Sequence, residues 1–485
     1  MQSIDSSINE LLRPYSEGLR DFILHEISVF GVTFPWIVMW LIIAAFFFTF
    51  YFNFLNIRGF AHAYRLIRGD YSAPHHDGEI THFQALCTAL SGTVGIGNIG
   101  GVAIVITIGG PGAMFWLMVA GFVSMSTKFA ECVLGVMYRK VHEDGSVSGG
   151  PMYYLEYGLK ERGLGFIAKP MGFFYAIAMV IGCLGIGNMF QSNQAFEQFV
   201  YITGQEGSYF ADKGWLFGLF IGMAVAIVIF GGIKSIARVT SRLVPFMAVL
   251  YILFGVIIVL MNYQNIPGAV SSVFTNAFAP KAIGGGMIGV MILGFQRAVF
   301  SNEAGIGSAP IAHSAVKTSE PITEGFVGLL EPFIDTVVIC GLTAMVILTT
   351  VYEPGMTGGG VQGVELTSQA FASTISWSVI PLSLVAVLFA YSTIISWSYY
   401  GLKGWTYIFG HGTIVESIFK IIFCLFVVLG CMIQLDAVLD FSDAMVFLVA
   451  LPNVIGLYIM APIIKLELKS YQRRLKDGSI PSFRK

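Results

Sequence analysis

Two long stretches of this chain contain no Asp, Glu, Lys or Arg, and they restrict its fold more than any other feature. One stretch lies between Glu26 and Arg58, and the other runs from Ile80 to Thr127. A helix needs about 20 apolar residues to cross a bilayer, and both stretches exceed that length. Similar apolar runs continue to residue 464, and only 12% of the 485 residues are charged. The sequence therefore predicts an integral membrane protein and argues against a soluble enzyme with a single anchor.

Breaks at charged residues, glycine and proline divide the apolar part into eleven predicted transmembrane helices. Their approximate limits are 34–56, 84–108, 113–138, 170–198, 214–232, 243–262, 282–308, 325–350, 378–401, 415–434 and 443–464. Apolar and polar residues do not alternate along these segments as they would in a barrel, so the predicted fold class is all-α. All six cysteines lie in the apolar runs and are expected to be unpaired core residues: Cys87, Cys132, Cys183, Cys340, Cys424 and Cys431.

Lysine and arginine accumulate on one side of these predicted helices. Loops on that side, together with the tail after residue 464, hold 20 of the 27 basic residues, whereas the opposite loops hold only Arg13, Arg20, Lys213 and Lys281. Basic residues favour the cytoplasmic side, so the N-terminus is predicted to be outside and the C-terminus inside the cell. The polar segment 1–33 lacks the pattern of a cleaved signal peptide and is expected to be extracellular or periplasmic. Residues 465–485 form a basic cytoplasmic tail.

The eleven helices divide into one extra helix, 34–56, and two sets of five, 84–262 and 282–464. Because five is odd, the second set must enter the membrane in the opposite sense, as in the inverted repeats of secondary transporters. Each set begins with a glycine-rich segment within an apolar run, at 91–101 and at 300–308. Glycine weakens a helix by about 1 kcal/mol relative to alanine. These segments therefore predict two interrupted helices whose freed N–H and C=O groups can hold a carboxylate or a cation.

Close helix packing is the alternative explanation of these glycines, but packing glycines usually repeat every four residues. Here they are spaced by two and are mixed with Ser, Thr, Asn and Glu, which favours a binding function. Glu303 lies in the second segment, where it could meet a substrate ammonium or accept N–H groups of the unwound backbone. A polar cluster after Gly187 in the predicted helix 170–198 makes Gln191 a further candidate, and Thr393 belongs to a hydroxyl-rich stretch near the C-terminal part of the chain.

The remaining intramembrane charges are ambiguous from sequence alone. Lys128 and Glu131 are three residues apart on one predicted helix, and a structural ion pair between them is the favoured interpretation. Glu331 and Asp335 share a helical face and could pair with Arg238 or Arg242, or form a gate. Arg297 lies off the face of Glu303 and could close the outer vestibule.

Three segments together resemble the alanine/glycine:cation symporter family of amino-acid carriers in the amino acid–polyamine–organocation (APC) superfamily. They are Thr-Val-Gly-Ile-Gly-Asn-Ile at 93–99, Gly-Gly-Pro-Gly-Ala-Met-Phe-Trp at 109–116 and Ser-Asn-Glu-Ala-Gly-Ile-Gly-Ser-Ala-Pro at 301–310. The likeness extends from about residue 34 to 465. Leu117-Met118 departs from the Met-Trp expected in the family, at a position away from the candidate site.

This resemblance implies a leucine-transporter-like fold with discontinuous first and sixth repeat helices, and sodium-coupled import of alanine or glycine through a plasma (inner) membrane. It implies that eight residues contact the substrate: Thr93, Gly97, Asn98, Gln191, Phe300, Ser301, Asn302 and Glu303. Sodium would bind near Thr93 and Asn98, and a second ion would bind between Ser91 or Val94 carbonyls and Thr393. No covalent cofactor, nucleic acid or obligatory protein partner is expected, and the surroundings are membrane lipid.

Other functions remain open to test. Thr93-Val94-Gly95-Ile96-Gly97 differs by one residue from a potassium-filter sequence, but it lies within a full-length predicted span rather than after a short pore helix. An intramembrane enzyme is disfavoured because all eight histidines fall in loops or at span edges, away from any serine nucleophile. Proton coupling in place of sodium, the preference among alanine, glycine and serine, and the number of ions are not determined by the sequence.

Overall fold

The computed structural model describes residues 25–29, 32–71, 77–204, 207–279, 286–353, 356, 363–433 and 435–482. Most of the predicted N-terminal segment 1–33 lies outside these residues, as do Arg13, Arg20 and Lys281 of the predicted outer loops. The first four residues of the predicted helix 282–308 are also outside them.

Helices make up most of the described chain. The first half contains α1 (Trp36–Tyr51), α2 (Leu55–Arg58), α3 (Phe60–Ile67), α4 (His82–Thr93), α5 (Gly100–Gly109), α6 (Pro111–Met137), α7 (Pro151–Glu161), α8 (Gly165–Leu184), α9 (Phe190–Ile202), α10 (Gly214–Ile229) and α11 (Gly232–Met261). The second half contains α12 (Ile266–Ala277), α13 (Gly286–Asn302), α14 (Ala309–His313), α15 (Pro321–Gly328), α16 (Leu330–Pro332), α17 (Gly341–Thr350), α18 (Val364–Thr374), α19 (Val379–Phe409), α20 (Thr413–Gly430) and α21 (Leu435–Lys476).

Two small hairpins depart from the all-α prediction. Strand β1 (Glu26–Val29) pairs antiparallel with β2 (Val32–Pro35), and β3 (Lys140–Val141) pairs antiparallel with β4 (Val147–Ser148). Both hairpins lie outside the long apolar helices, where loop residues can pair without disturbing a helix. The apolar body of the described chain is helical, as predicted.

Seven helices of the described residues are long and apolar enough to cross a membrane. They are Pro111–Met137, Gly165–Ile202, Gly232–Met261, Pro321–Thr350, Ser376–Phe409, Thr413–Gly430 and Phe447–Lys476. The pair formed by α4 and α5 passes the same test as one broken span and makes an eighth. Helices α1 and α10 are apolar but only 16 residues long. The prediction of a multi-pass helical membrane protein is confirmed, whereas the count of eleven stays a prediction.

Burial separates the central helices from the peripheral ones. In α6, 83% of the most apolar window is buried, whereas the corresponding figure is 28% for both α11 and α20. Helix α6 therefore lies at the centre of the bundle, and α11 and α20 turn most of their apolar residues toward the surroundings. All six cysteines are free, and all except the half-buried Cys424 are buried, so this prediction is confirmed.

Five connections that the sequence analysis assigns to loops contain helices: α3, α7, α12, α14 and α18. Helix α18 packs on the C-terminal part of the first glycine-rich segment, where Thr367 Oγ1 donates to the carbonyl of Ile99 at 3.0 Å. A Cβ atom at Gly100 would lie 2.9 Å from Val364 Cγ2. A side chain at position 100 would thus push α18 away from the interrupted helix.

At the opposite end of the bundle, basic side chains tie several loops together. Arg139 donates to the carbonyl oxygens of four residues in two loops, at 2.6 to 2.9 Å: Asp77, Ser314, Val316 and Thr318. Lys403 donates to Val147 O at 2.8 Å, and Arg474 pairs with Glu320 at 2.5 Å. This end, which we call the basic end, collects residues that the sequence analysis assigns to one side of the membrane.

Candidate functional site

The first glycine-rich segment interrupts its helix. Helix α4 ends at Thr93 and α5 begins at Gly100, and the helical segment Ile96–Gly109 is bent by 62° from α4. A short 3₁₀ turn, Ile96–Asn98, lies between them, and Asn98 Oδ1 accepts the N–H of Gly95 at 2.8 Å. The predicted interruption is therefore present, and the side chain of Asn98 holds the unwound turn in shape.

Gly95 lies where two other helices approach this turn. A Cβ atom at this position would lie 2.8 Å from Thr393 Oγ1 on α19 and 2.9 Å from Gln191 Oε1 on α9. Gln191 Oε1 also accepts the N–H of Ile96 at 3.2 Å. Gln191 follows a π-helical turn, Gly185–Met189, and such turns are frequent at functional sites. The structure thus brings Gln191 and Thr393 against the interrupted helix.

The second glycine-rich segment is interrupted as well. Helix α13 ends at Asn302 and α14 begins at Ala309. Glu303, Gly305 and Gly307 between them have φ angles of 57°, 93° and 83°. Non-glycine residues rarely adopt positive φ, so Glu303 marks the point at which the chain leaves the helix. Its carboxylate lies in the centre of the protein rather than on the lipid-facing surface.

The carboxylate of Glu303 is buried among neutral donors. It accepts a hydrogen bond from the hydroxyl of Ser308 and one from Trp397 Nε1 at 3.1 Å. Trp397 Nε1 also lies 3.2 Å from the carbonyl oxygen of Gly92 and so connects both interrupted helices. The indole fills the space over Gly187, where a Cβ atom would lie only 2.0 Å from Trp397 Cγ.

Asp335 forms a second buried carboxylate centre, on a π-helical segment, Phe333–Cys340. It accepts hydrogen bonds from Asn98 Nδ2 at 2.5 Å, Ser301 Oγ at 2.7 Å and Thr336 Oγ1 at 2.7 Å. Asn302 joins this group because its Nδ2 donates to Thr336 Oγ1 at 3.1 Å. Three of the predicted site residues therefore meet at Asp335, which was not among them.

The orientation of the Asn98 side chain follows from its neighbours. Its oxygen accepts from Gly95 N–H and its nitrogen donates to Asp335. In the reversed amide, two N–H donors would meet at Gly95 and two oxygen acceptors would meet at Asp335. The side-chain oxygen of Asn98 is thus already used, and Asp335 is the stronger cation ligand in this group. The hydroxyl of Thr93 bonds to Leu90 O at 3.3 Å in its own helix rather than to Asn98.

The second predicted sodium position also joins two helices. Thr393 Oγ1 donates to the carbonyl of Ser91 at 2.9 Å, and Ser91 Oγ donates to the carbonyl of Ser392 at 2.6 Å. Val94, at the end of α4, is buried beside them. The structure therefore brings Ser91 and Thr393 into direct contact, with peptide oxygens of both helices at the same place.

A small cavity lies between the two interrupted helices. Its volume is about 10 Å³, which is enough for about one water molecule. Gly97, Phe300, Ser301 and Arg297 contribute to its walls together with Phe190, whose ring makes an edge-to-face contact with Phe300 at 5.5 Å. With α18 packed at one end and the Arg139 contacts at the other, this conformation is closed around the candidate site.

The predicted Lys128–Glu131 pair is wrong. Lys128 Nζ lies 3.7 Å from Glu331 Oε2, whereas Glu131 Oε1 accepts from Gly305 N at 3.0 Å and Asn453 Nδ2 at 2.6 Å. Glu131 and Lys128 lie on the same helix, but each is bound by a different segment of the chain packed against that helix. Glu131 therefore fixes the second interruption.

The possible pairing of Glu331 and Asp335 with Arg238 or Arg242 is also wrong. Both arginines are exposed on α11, and both carboxylates are fully buried. The π-helical turn that contains Asp335 closes on the fifth residue rather than the fourth. Residues four apart therefore do not stack on one face here, and the two carboxylates point to different neighbours.

Sequence reasoning missed two further features. Trp397 lies inside the hydroxyl-rich stretch Ser392–Ser398, and a large indole among small polar residues was an available signal. Two histidines assigned to span edges, His82 and His313, are buried and both bond to Glu324. Only the packing of α4, α14 and α15 brings these three together.

Comparison with known proteins identifies the family of this chain. The family model described as the sodium:alanine symporter family matches residues 18–485. The chain belongs to this family. It is therefore a sodium-coupled amino-acid symporter, a multi-pass membrane transporter rather than an enzyme, with Na⁺ as its coupling ion.

Relatives of this symporter extend over nearly its whole length. It is 38% identical to the sodium/alanine symporter AgcS of Methanococcus maripaludis, with 91% of this chain and 95% of that protein covered. It is 31% identical to the probable sodium/glutamine symporter GlnT of Bacillus subtilis, with 90% and 88% covered. Among solved structures it resembles MhsT in complex with L-phenylalanine, with a TM-score of 0.56, 16% identity, and 80% of this chain and 98% of that chain covered. That likeness concerns the fold alone.

Proposed function

We propose that this symporter imports a small neutral amino acid, alanine or glycine, together with Na⁺ by alternating access in the plasma membrane. Sodium binds first from outside, the amino acid follows, and the closed protein then opens toward the cytoplasm. The relative named for alanine is similar along 91% of this chain, which supports the substrate class.

The observation that carries this proposal is the pairing of two interrupted helices with two buried carboxylates. Within the described residues, neither Glu303 nor Asp335 makes an ion pair, and the donors around them are neutral. A buried carboxylate without a counter-charge is costly in a membrane. Lys128 acts on both carboxylates from a distance but pairs with Glu331. A cation at Asp335 and the substrate ammonium at Glu303 would supply a direct counter-charge for each.

The remaining charge of the amino acid, its carboxylate, would dock on N–H groups of residues 93–98. The N–H groups of Gly95 and Ile96 now bond to the side chains of Asn98 and Gln191, and the substrate would replace these acceptors. Thr93, Gly97 and Gln191 would border this group, and Phe300 would cover the side chain. A second sodium ion between Ser91, Val94 and Thr393 would hold α4 against α19. The direct contact between Ser91 and Thr393 supports this position.

The dimensions of the cavity favour a small side chain. A space of about 10 Å³ between Phe190 and Phe300 must enlarge even for alanine. A Cβ atom at Gly97 or at Gly101 would meet nothing within 4 Å, so the cavity borders open space on the side of these glycines. An amide-bearing side chain, as in the substrate named for GlnT, would require a larger displacement of both aromatic rings.

We further propose eleven transmembrane helices: the extra helix 34–56, the repeat 84–262 and the inverted repeat 282–464. The N-terminus would be outside, and the basic end would face the cytoplasm with the tail 465–485. The likeness of the fold to MhsT and the corresponding interruptions at the start of each repeat support this arrangement. The gathering of basic loops at one end supports the orientation.

The driving force is sufficient for concentrative uptake. A tenfold sodium gradient supplies about 1.4 kcal/mol, and a membrane potential of about 100 mV adds about 2.3 kcal/mol per charge. With one sodium ion, these together would sustain an amino-acid gradient of roughly several hundred-fold.

Uptake by purified protein in vesicles tests the proposal. An inward sodium gradient should drive saturable uptake of labelled alanine, and replacing sodium by choline or potassium should abolish it. Unlabelled glycine, D-alanine, serine and glutamine as competitors would rank the substrates. Sodium current without amino-acid uptake would support a channel instead, and uptake driven equally well by a proton gradient without sodium would overturn the choice of ion.

A further inference from the structure

A chain of buried ionisable side chains lies between the basic end and the centre of the protein, and the transport cycle proposed above does not use it. Glu324 accepts a hydrogen bond from His82 on α4 and lies 2.5 Å from His313 Nδ1 on α14. The other ring nitrogen of His313, Nε2, lies 2.6 Å from Glu331 Oε1. Lys128 Nζ follows at 3.7 Å from Glu331 Oε2.

The geometry around His313 fixes the number of protons. A neutral imidazole has one N–H donor and one lone pair. Both nitrogens of His313 face carboxylate oxygens, at 2.5 and 2.6 Å, and a lone pair at such a distance from a carboxylate would be repelled. One proton beyond those of a neutral histidine and two ionised carboxylates must therefore reside among Glu324, His313 and Glu331.

The balance of charge leads to the same conclusion. With the additional proton, the two carboxylates of Glu324 and Glu331 are matched by His313 and by the ammonium of Lys128. Without it, the fully buried group would carry a net negative charge, which is costly in a membrane interior. Glu131, next to Lys128, adds further to the negative side.

Other ionisable groups face this cluster from every neighbouring element. Cys132 on α6 and Arg139, two residues after the end of α6, interact with Glu324, and the ring of His62 on α3 packs against Phe326 of α15. The groups that surround the cluster are His62, Glu79, Glu131, Cys132, Arg139, Glu320 and Tyr400. Among them, only Arg139 carries a fixed positive charge, and its guanidinium is bound to four peptide oxygens.

A metal ion is a poorer explanation of the same cluster. Donor atoms of Cys132, His313 and Glu331 lie within 4.8 Å of one another. However, both nitrogens of His313 already face carboxylates, so no lone pair is left for a metal. The ammonium of Lys128 beside Glu331 would also repel a cation.

The position of the cluster indicates its role. Glu324 bonds through one oxygen to α4 and through the other to α14, which are the halves of the two interrupted helices at the basic end. The loops that follow are joined as well, since Lys317 N donates to Ile80 O at 2.9 Å. Opening a path toward the cytoplasm requires these two halves to separate.

We propose that Glu324, His313 and Glu331 hold one exchangeable proton, and that with His82 they form a proton-operated latch between the cytoplasmic halves of the two interrupted helices. This inference rests on the proposed function and orientation. The closed latch binds one proton more than the open latch, so acid favours closure and rising pH favours opening. Loss of the proton leaves a lone pair of His313 against a carboxylate and releases α14. Cytoplasmic pH would therefore control release of the substrate.

The test compares alanine uptake by wild-type vesicles at internal pH values from about 6 to about 9, with external pH, sodium gradient and membrane potential held constant. The initial rate should rise with internal pH by up to about tenfold per pH unit, the limiting slope of a single titrating proton. In Glu324→Gln the amide accepts from His82 and donates to neutral His313, so the latch needs no additional proton. At every internal pH, this variant should show the low uptake rate that the wild-type protein shows at acidic internal pH.

Glu320→Gln is the matched control, because Glu320 pairs with Arg474 outside the latch. It should retain the wild-type pH profile. A wild-type rate that does not depend on internal pH overturns the latch, and so does an unaltered profile in folded Glu324→Gln.

Cys87 provides a measurement that does not depend on transport. This buried thiol lies on α4 between the latch and the interruption. The measured quantity is the rate of Cys87 labelling in wild type divided by the rate in Glu324→Gln at the same pH. This ratio should rise in alkaline buffer as the wild-type latch opens, and a constant ratio contradicts the latch. If vesicles take up no alanine at any pH, the proposed function fails while this labelling still decides on the latch.

Discussion

Replacing Asp335 by Asn removes the carboxylate that we propose as the sodium ligand while leaving its shape. Asn98 Nδ2 can still donate to the remaining oxygen, and the hydroxyls of Ser301 and Thr336, both 2.7 Å from Asp335 Oδ2, can rotate to accept from the new amide. The substitution should therefore cost about 1 to 2 kcal/mol of stability at most. It should have a far larger effect on the binding of a cation.

That effect can be estimated from charge and distance. At an effective dielectric constant of about 20, a unit charge about 4 Å away contributes about 4 kcal/mol. Since about 1.4 kcal/mol corresponds to a factor of ten, Asp335→Asn should weaken sodium binding by about two to three orders of magnitude.

The assay measures the sodium concentration for half-maximal alanine uptake, and the sodium-dependent rise in melting temperature of the purified protein. Both should shift together in Asp335→Asn, whereas Asp335→Glu, which keeps the charge, should retain part of the response. If folded Asp335→Asn shows the wild-type dependence on sodium in both measurements, Asp335 does not bind the coupling ion and the reasoning is refuted.

Three other substitutions test different parts of the site. Glu303→Gln should abolish sodium-dependent alanine uptake without loss of monodisperse protein, because the substrate ammonium loses its counter-charge; wild-type uptake would contradict that role. Gly95→Ala should stop uptake because the methyl group would lie 2.8 Å from Thr393 Oγ1, whereas Gly268→Ala, with nothing within 4 Å, should be tolerated; equal activity of the two would exclude close packing as the cause. Lys128→Met removes the lysine counter-charge of the buried Glu331, which keeps its contact with His313, and should cost about 3 to 5 kcal/mol. Adding Glu331→Gln should restore part of the melting temperature; no recovery in the double variant would show that the pair is not the reason.

The interruptions of both helices could be predicted from the sequence because their cause is local. Glycines spaced by two, together with Ser, Asn and Glu, weaken a helix wherever it packs. The structure accordingly ends α4 at Thr93 and α13 at Asn302. Apolar length likewise indicated the membrane-spanning helices.

The partners of the buried charges could not be predicted in the same way. Lys128 and Glu331 meet only because α6 packs against the segment between α15 and α17. Asp335 turns toward Asn98 because a π-helical turn changes the angular spacing, and the sequence carries no simple mark of such a turn. Sequence spacing gives the face of a regular helix, and it fails where the helix is irregular.

The side chain of Arg139 has a consequence for leakage. One guanidinium holds four peptide oxygens from the strands of chain that precede α4 and follow α14. Hydrogen bonds to a charged group contribute about 1.5 to 3 kcal/mol each, so partial separation of these segments would forfeit most of the interaction at once. In the proposed orientation, the cytoplasmic end would therefore be either closed or open, with few partly open states through which sodium could leak and dissipate the gradient.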